Sequence, residues 1–264
     1  MSRPDAEVVV LDIEGTTGSL SHVRDVLFPR ARAELAGWFA LHRHEPRVRR
    51  TVTAVRAELS RPDLDDEGVV AALTAWSDAD VKAAPLKAVQ GWIWAEQYAA
   101  GTLHGHVYPE VPAVLRGWRA AGLRTVTYSS ASAAAQLDWF RHTEHGDLSG
   151  FLDARFDLDN AGPKTDPRSY RRLAQTLGTA PGRLLFLSDT AAELDAAAQA
   201  GWQAVGVRRD GDARGPAVPG HRTVASLDRL PPHLSCPGRT RGPFREESSP
   251  WARPSPRPRR PRSG

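Results

Sequence analysis

The chain contains one cysteine, very few lysines and no long apolar segment. Cys236 has no second cysteine to pair with, so an internal disulfide is excluded. No segment approaches the roughly 18 apolar residues that a membrane-spanning helix needs. The start of the chain, residues 1–5, also lacks the apolar segment of a secretory signal. We therefore expect a soluble, cytoplasmic protein that does not associate with membranes.

Positive charge is concentrated at one end of the chain. Residues 235–264 contain eight arginines and two glutamates, a charge of +6, whereas the whole chain has +4, so the preceding residues carry −2. A segment rich in proline and arginine buries too little apolar surface to fold, which predicts a disordered tail over 235–264. Such a tail could bind RNA weakly through phosphate charge, but no specific nucleic-acid binding is expected.

The apolar pattern predicts an α/β fold. A chain of 264 residues with 41% hydrophobic content can form a substantial core. Four segments are typical of buried strands: Glu7–Asp12, Leu123–Tyr128, Leu184–Ser188 and Gln203–Val207, with Phe151–Phe156 as a weaker fifth. Helix-like segments alternate with them: Pro109–Ala121, Ser132–His142, Pro167–Leu177 and Ala191–Ala200. This alternation indicates a Rossmann-like parallel sheet.

Two of these helices have specific start signals. Asp166 followed by Pro167 is the pattern of an N-cap residue and a proline at the first helical position. Thr190 and Glu193 have the spacing of a capping box, in which each side chain binds the backbone of the other residue.

The segment between the first and second strands has no strand pattern. Within it Leu86, Val89 and Ile93 share one helical face, and four tryptophans predict a small separate core: Trp38, Trp76, Trp92 and Trp94. We interpret the tryptophans as packing residues. The expected division is a core of residues 1–20 and 107–234, an all-helical cap of residues 21–106 that can act as a lid, and the tail.

The most informative short segment is Asp12-Ile13-Glu14-Gly15-Thr16, which follows the apolar residues Val8–Leu11. Ligands of open parallel sheets bind beyond the carboxyl ends of the strands. Asp12 there can bind a divalent metal or attack phosphorus as a nucleophile. The alternative is a strand-ending aspartate that caps a turn, with Gly15 providing the bend.

Three further polar groups follow predicted strands. Ser129 and Ser130 suit phosphate oxygens at a helix start, although plain helix capping explains them equally. Lys164 is one of only three lysines among 35 basic residues, which favours a need for a compact ammonium over a solvated loop lysine. Asp189 can complete an oxygen shell around Mg²⁺ or serve as an N-cap.

The order of these four groups resembles that of the haloacid dehalogenase-like superfamily, whose four motifs follow one another in this order, each at a strand-to-helix junction. The match is narrower still, because five segments resemble the enolase-phosphatase family. They are residues 12–17 with 23–29, residues 86–94, residues 105–109, residues 128–132 and residues 186–189. The resemblance as a whole covers about Val8 to Val207.

This resemblance implies a bifunctional enzyme of methionine salvage. It would enolise 5-methylthio-2,3-dioxopentyl phosphate and then remove the phosphate, releasing 1,2-dihydroxy-3-keto-5-methylthiopentene, with one Mg²⁺ per monomer. By position, the metal ligands would be Asp12, Glu14 and Asp189, the catalytic residues Asp12, Glu14 and Lys164, and the substrate-binding residues Thr16, Ser129, Ser130 and Lys164. Either Glu14 or Lys164 could be the enolising base.

Two alternatives remain at this point. One is a phosphatase for another small phosphate ester, without an enolase step. The other is an inert α/β module whose tail binds RNA or a protein. The chain also departs from the family pattern at residues 18–22, at Gln97 and at Ala131. His22 is either a new polar group near the substrate or a hinge or surface residue.

Overall fold

The computed structural model describes residues 6–230. The predicted tail at 235–264 lies outside the described residues. Within 6–230 no helix is both long enough and apolar enough to cross a membrane.

The centre of the molecule is a parallel sheet of six strands in the order β3-β2-β1-β4-β5-β6. The strands are β1 (Val8–Leu11), β2 (Arg124–Tyr128), β3 (Ala154–Phe156), β4 (Leu184–Ser188), β5 (Gln203–Val207) and β6 (Thr223–Val224). The predicted α/β class and five predicted strands are therefore confirmed. β6 was not predicted, because two residues are too few to produce an alternating pattern.

Helices cover both faces of this sheet because alternate residues of a strand point to opposite sides. Val9 and Leu11 belong to one buried cluster, which contains residues of α6 (Val111–Ala120) and α7 (Ala133–Arg141). Val8 and Val10 belong to a second cluster, with residues of α8 (Pro167–Leu177) and α9 (Ala191–Gln199). Each of the four helices begins and ends within two residues of its predicted bounds.

The two helix-start signals have different outcomes. Asp166 caps α8 by accepting from the N–H of Arg168, and Pro167 is the first helical residue, as predicted. The capping box at Thr190 and Glu193 is wrong, because the Thr190 side chain caps no backbone N–H and Glu193 binds side chains elsewhere. Its spacing reflects a tertiary contact of Glu193 rather than a local one.

Before α6, the regular elements between β1 and β2 are all helical. They are α1 (Leu20–His22), a π-helical turn (Val23–Leu27), α2 (Phe28–His42), α3 (Pro46–Glu58), α4 (Asp66–Asp78) and α5 (Ala84–Ala99). The four helices α2 to α5 enclose a third buried cluster, in which Trp38 is buried and Trp76, Trp92 and Trp94 pack against it. The packing interpretation of the four tryptophans is confirmed. The exact bounds of core and cap stay a prediction.

The chain leaves the sheet and returns to it through two adjacent segments. The N–H of Ser19 donates to His106 Nδ1 at 3.1 Å, and the N–H of Tyr108 donates to the Thr17 carbonyl at 3.0 Å. His22 Nε2 lies 3.0 Å from the carbonyl of His104, and its ring lies 5.6 Å from that of His106. His22 thus lies where these two segments cross, and its role as a hinge stays a prediction.

The acceptor role of His106 predicts that this crossing weakens in acid. Burial lowers the pKa of His106, and the neighbouring His22 and His145 lower it further, while Glu144 opposes them. The unfolded chain therefore takes up this proton at a higher pH than the folded protein. The stabilisation is present above pH 6.5 and is lost as the pH falls through the lower folded value. The variant His106→Asn can still accept a hydrogen bond with its amide oxygen, but it does not titrate. We therefore expect its free energy of unfolding, measured in urea, to fall less steeply between pH 7.5 and 5 than that of the unaltered protein.

The matched control is His44→Asn, because His44 is exposed. This variant should reproduce the pH dependence of the unaltered protein. A pH dependence that is the same in His106→Asn would contradict a neutral His106 in the folded state.

Candidate active site

The carboxyl ends of three neighbouring strands form the site. Leu11 of β1 is in register with Thr127 of β2 and with Leu187 of β4. The segments that begin at Asp12, Ser129 and Asp189 therefore leave the sheet at the same edge, which is the position that the sequence predicted for them.

A tight turn follows β1. The Ile13 carbonyl accepts from the N–H groups of three successive residues, Thr16, Thr17 and Gly18. Gly15 has φ +78°, and a Cβ at this position would collide with Asp189 Oδ2. The glycine is therefore required both for its backbone conformation and for the close approach of Asp189 to the turn.

Lys164 joins this turn to the other side of the site. Its Nζ lies 2.6 Å from Asp12 Oδ1 and 2.7 Å from Glu193 Oε2. Lys164 and Asp12 are buried, and Glu193 also accepts from the hydroxyl of Ser188 at 2.7 Å. One ammonium thus holds two carboxylates from distant parts of the chain.

Burial and the neighbouring charges shift the pKa values of both Asp12 and Lys164. Burial raises the pKa of Asp12, and Glu193 and Asp189 add to the rise, while Lys164 opposes it. Burial alone would lower the pKa of Lys164, but the carboxylates of Asp12 and Glu193 outweigh it and raise that pKa above its usual value. Lys164 is therefore a permanent cation at neutral pH rather than a proton acceptor.

Glu14 is half-buried at the same edge. Burial raises its pKa, and Asp189 adds to the rise. The positive charges of Lys164, Lys82 and Lys87 oppose the rise. Lys82 and Lys87 belong to the helical insertion, so all three lysines of the chain act on this one carboxylate. A glutamate with a raised pKa can exchange protons nearer to neutral pH than an ordinary one.

Asp189 is buried directly after β4, and both of its oxygens have partners. Oδ1 accepts from the Thr190 hydroxyl at 3.0 Å, and Oδ2 accepts from Arg214 Nη2 at 2.5 Å. Arg214 lies in the segment between β5 and β6 and also binds Asp212.

The predicted substrate-binding residues differ in exposure. Ser129 is buried, and its hydroxyl accepts from the N–H of Ala131, whereas Ser130 is exposed. Thr16 is buried, and its hydroxyl has no hydrogen-bond partner within residues 6–230. The Thr16 carbonyl, in contrast, accepts from Arg209 Nε at 3.0 Å, and the Arg209 guanidinium lies 3.9 Å from the ring centre of Tyr108.

A divalent cation fits this edge with few protein ligands. In the described part of the chain, no three His, Cys, Asp or Glu side chains are arranged to hold a metal. Mg²⁺ commonly takes only one or two carboxylates and completes its shell with waters and substrate phosphate. Asp189 is buried against Gly15, three residues after the buried Asp12, and the charge of Asp189 acts on Asp12. A cation between the two carboxylates would relieve this repulsion.

Sequence reasoning did not assign two residues that touch the site. Glu193 was noted only for its spacing, although an acid one turn into a helix that follows a site strand could have been considered. Arg214 gave no signal, because a loop arginine in a chain with so many arginines is unremarkable.

The comparisons with known proteins agree with this geometry. A family profile described as haloacid dehalogenase-like hydrolase matches residues 6–201. Enolase-phosphatase E1 of Frankia alni is 50% identical over 228 residues, which cover 86% of this chain and 96% of that protein. Enolase-phosphatase E1 of Pseudomonas syringae pv. syringae is 44% identical over 226 residues, which cover 86% of this chain and 97% of that protein.

A solved structure extends the similarity to three dimensions. The crystal structure of the UTR4 protein of Saccharomyces cerevisiae matches with a TM-score of 0.70 at 28% identity, covering 85% of this chain and all of that one. One assignment follows from the profile match, from relatives that are 44% and 50% identical, and from the shared architecture. This chain belongs to the haloacid dehalogenase-like hydrolases and, within them, to the enolase-phosphatases.

Proposed function

We propose that the protein converts 5-methylthio-2,3-dioxopentyl phosphate to 1,2-dihydroxy-3-keto-5-methylthiopentene and phosphate, the enolase-phosphatase reaction of methionine salvage. The identity to enolase-phosphatases over most of the chain supports the reaction. The observation that carries the proposed mechanism is the buried Lys164 ammonium between Asp12 and Glu193, because it places a fixed cation beside an acid at the ligand-binding edge.

Enolisation is the first step. The product has a double bond between C1 and C2, so a base must remove a proton from C1, next to the C2 carbonyl. Of the two candidates, we assign Glu14, since its pKa is raised towards neutrality while Lys164 stays protonated. The Lys164 ammonium then stabilises negative charge that develops on an oxygen of the substrate.

Phosphate removal is the second step. An oxygen of the ionised Asp12 attacks phosphorus, the bond between phosphorus and the C1 oxygen breaks, and the leaving oxygen takes the proton that Glu14 holds. Water then hydrolyses the aspartyl-phosphate and restores Asp12, and the proton that this water releases completes the C2 hydroxyl of the product. Lys164 holds Asp12 in place and offsets the charge of the phosphate.

The remaining predicted residues bind the substrate and the cofactor. Ser129, Ser130 and the unpartnered Thr16 hydroxyl are proposed to bind phosphate oxygens. Asp12 and Asp189 are proposed to hold one Mg²⁺, which would neutralise charge on the phosphate; the contribution of Glu14 to holding it stays a prediction. We also propose a monomeric, cytoplasmic enzyme.

Replacement of Asp12 tests the nucleophile. Asp12→Asn should reduce phosphate release below detection while leaving enolisation measurable, because an amide cannot replace the attacking carboxylate. Lys164 keeps Glu193 as a partner in this variant, so no buried charge is left alone. Enol absorbance and free phosphate, recorded separately from the diketone phosphate, distinguish the two steps.

Asp195→Asn is the matched control, since Asp195 is an exposed acid on α9. It should behave like the unaltered enzyme. Normal phosphate release by Asp12→Asn would eliminate the nucleophile assignment. Phosphate release by the unaltered enzyme without any enol signal would show an ordinary phosphatase.

A second pair of variants tests the base. Glu14→Gln should slow enolisation by about 100-fold or more, which is the usual contribution of a general base. Lys164→Arg keeps the positive charge but loses the compact ammonium, so it should lower the enolisation rate without removing the acid limb of its pH profile. In the unaltered enzyme the enolisation rate should rise with pH through the raised pKa of Glu14, and this acid limb should disappear in Glu14→Gln.

The opposite pattern would assign the base to Lys164. In that case the pH limb of the unaltered enzyme would lie in the alkaline range and would disappear in Lys164→Arg, while Glu14→Gln would remain active.

A further inference from the structure

The contact between Arg214 and Asp189 connects the site to a part of the chain that no motif covers. Arg214 Nη2 lies 2.5 Å from Asp189 Oδ2. This is the oxygen that a Cβ at Gly15 would strike, so it is the one that faces the turn of Asp12. The other oxygen, Oδ1, already accepts from the Thr190 hydroxyl.

Arg214 is held by a second acid that does not belong to the site edge. Its backbone N–H and its Nε both donate to Asp212 Oδ1, at 2.9 and 3.0 Å, and its Nη2 lies 2.6 Å from Asp212 Oδ2. These hydrogen bonds lower the pKa of Asp212, which therefore stays ionised. Arg214 is 43% exposed, whereas the Asp189 side chain is 4% exposed. The guanidinium can thus release Asp189 and still keep an anionic partner.

Two cations cannot share Asp189 Oδ2 without repulsion. A divalent ion held by Asp12 and Asp189 would draw on the Asp189 carboxylate, of which Oδ1 already accepts from the Thr190 hydroxyl and Oδ2 from the guanidinium. Because both ligands are positively charged and bind the same carboxylate, binding of one must weaken binding of the other by an equal factor.

We infer that Arg214 competes with the divalent cation for Asp189 and thereby raises the cation concentration that the enzyme needs. This inference rests on the proposed function, which requires a cation at Asp12 and Asp189. Arg214 is a positioning residue in this account, since it acts only through Asp189 and not on the substrate.

The test is the affinity for Mg²⁺ alone, measured by titration calorimetry on the full chain without substrate. Arg214→Gln should bind Mg²⁺ at least about fivefold more tightly than the unaltered protein, the lower end of typical coupling between two ligands. Arg214→Lys should lie nearer to the unaltered protein, because it keeps a positive charge. Asp212 retains Arg208 as a partner at 3.3 Å, so Arg214→Gln does not leave its charge unpaired.

Arg168→Gln is a closely matched control. Arg168 binds Asp166 in the same way, with its backbone N–H and Nε both donating to the aspartate two residues before it, but it does not touch Asp189. It should leave the Mg²⁺ affinity unchanged.

The possible results distinguish the competition by Arg214 from the cation site itself. Equal or weaker Mg²⁺ binding by Arg214→Gln overturns the competition while leaving the proposed cation site intact. Absence of binding in every variant overturns the cation site and the competition together. Tighter binding in both Arg214→Gln and Arg168→Gln also overturns the competition, because it reports only the loss of one positive charge.

Discussion

The site depends on one buried ammonium. Asp12, Glu14, Asp189 and Glu193 place four carboxylates at one edge of the sheet, and Lys164 contacts two of them directly. A buried ion pair that loses one partner costs about 3–5 kcal/mol, since the remaining charge is left without compensation. Lys164 therefore makes it possible for the segments after β1 and β4 to lie close together. A lysine suits this position because its charge is compact, whereas a guanidinium is a wide planar group.

Much of this arrangement is accessible from the sequence. The buried strands have continuous apolar residues, and parallel strands that share a sheet must end at a common edge. Asp12 and Asp189 follow directly from that reasoning. Lys164 follows from composition, because a lysine in a chain that otherwise uses arginine marks a position where the two are not interchangeable. The signal for Asp12 and Asp189 is local, and the signal for Lys164 comes from the composition of the whole chain. Neither signal depends on which distant side chains come into contact.

The residues that sequence reasoning missed are those whose roles depend on tertiary contacts. Glu193 has the spacing of a capping residue, but its carboxylate binds Lys164 of a distant segment and Ser188 at the end of β4. Arg214 reaches Asp189 from a segment 25 residues further along the chain. β6 consists of two residues that pair with the end of β5. No local pattern specifies such contacts, since each depends on which segments the folded chain brings together.

Two proposed steps at one site need carboxylates with different proton affinities. A nucleophile must be ionised, whereas a base must take up a proton near the working pH, and neighbouring acids acquire such roles when their surroundings differ. Burial raises the pKa of both Asp12 and Glu14, so burial alone does not distinguish them. Lys164 donates directly to Asp12 and offsets part of this rise, yet burial dominates and the pKa of Asp12 still reaches about 7. The proposed division of labour therefore also depends on a cation at this edge, because a positive charge held by Asp12 and Asp189 would lower the pKa of Asp12 further and favour the ionised nucleophile.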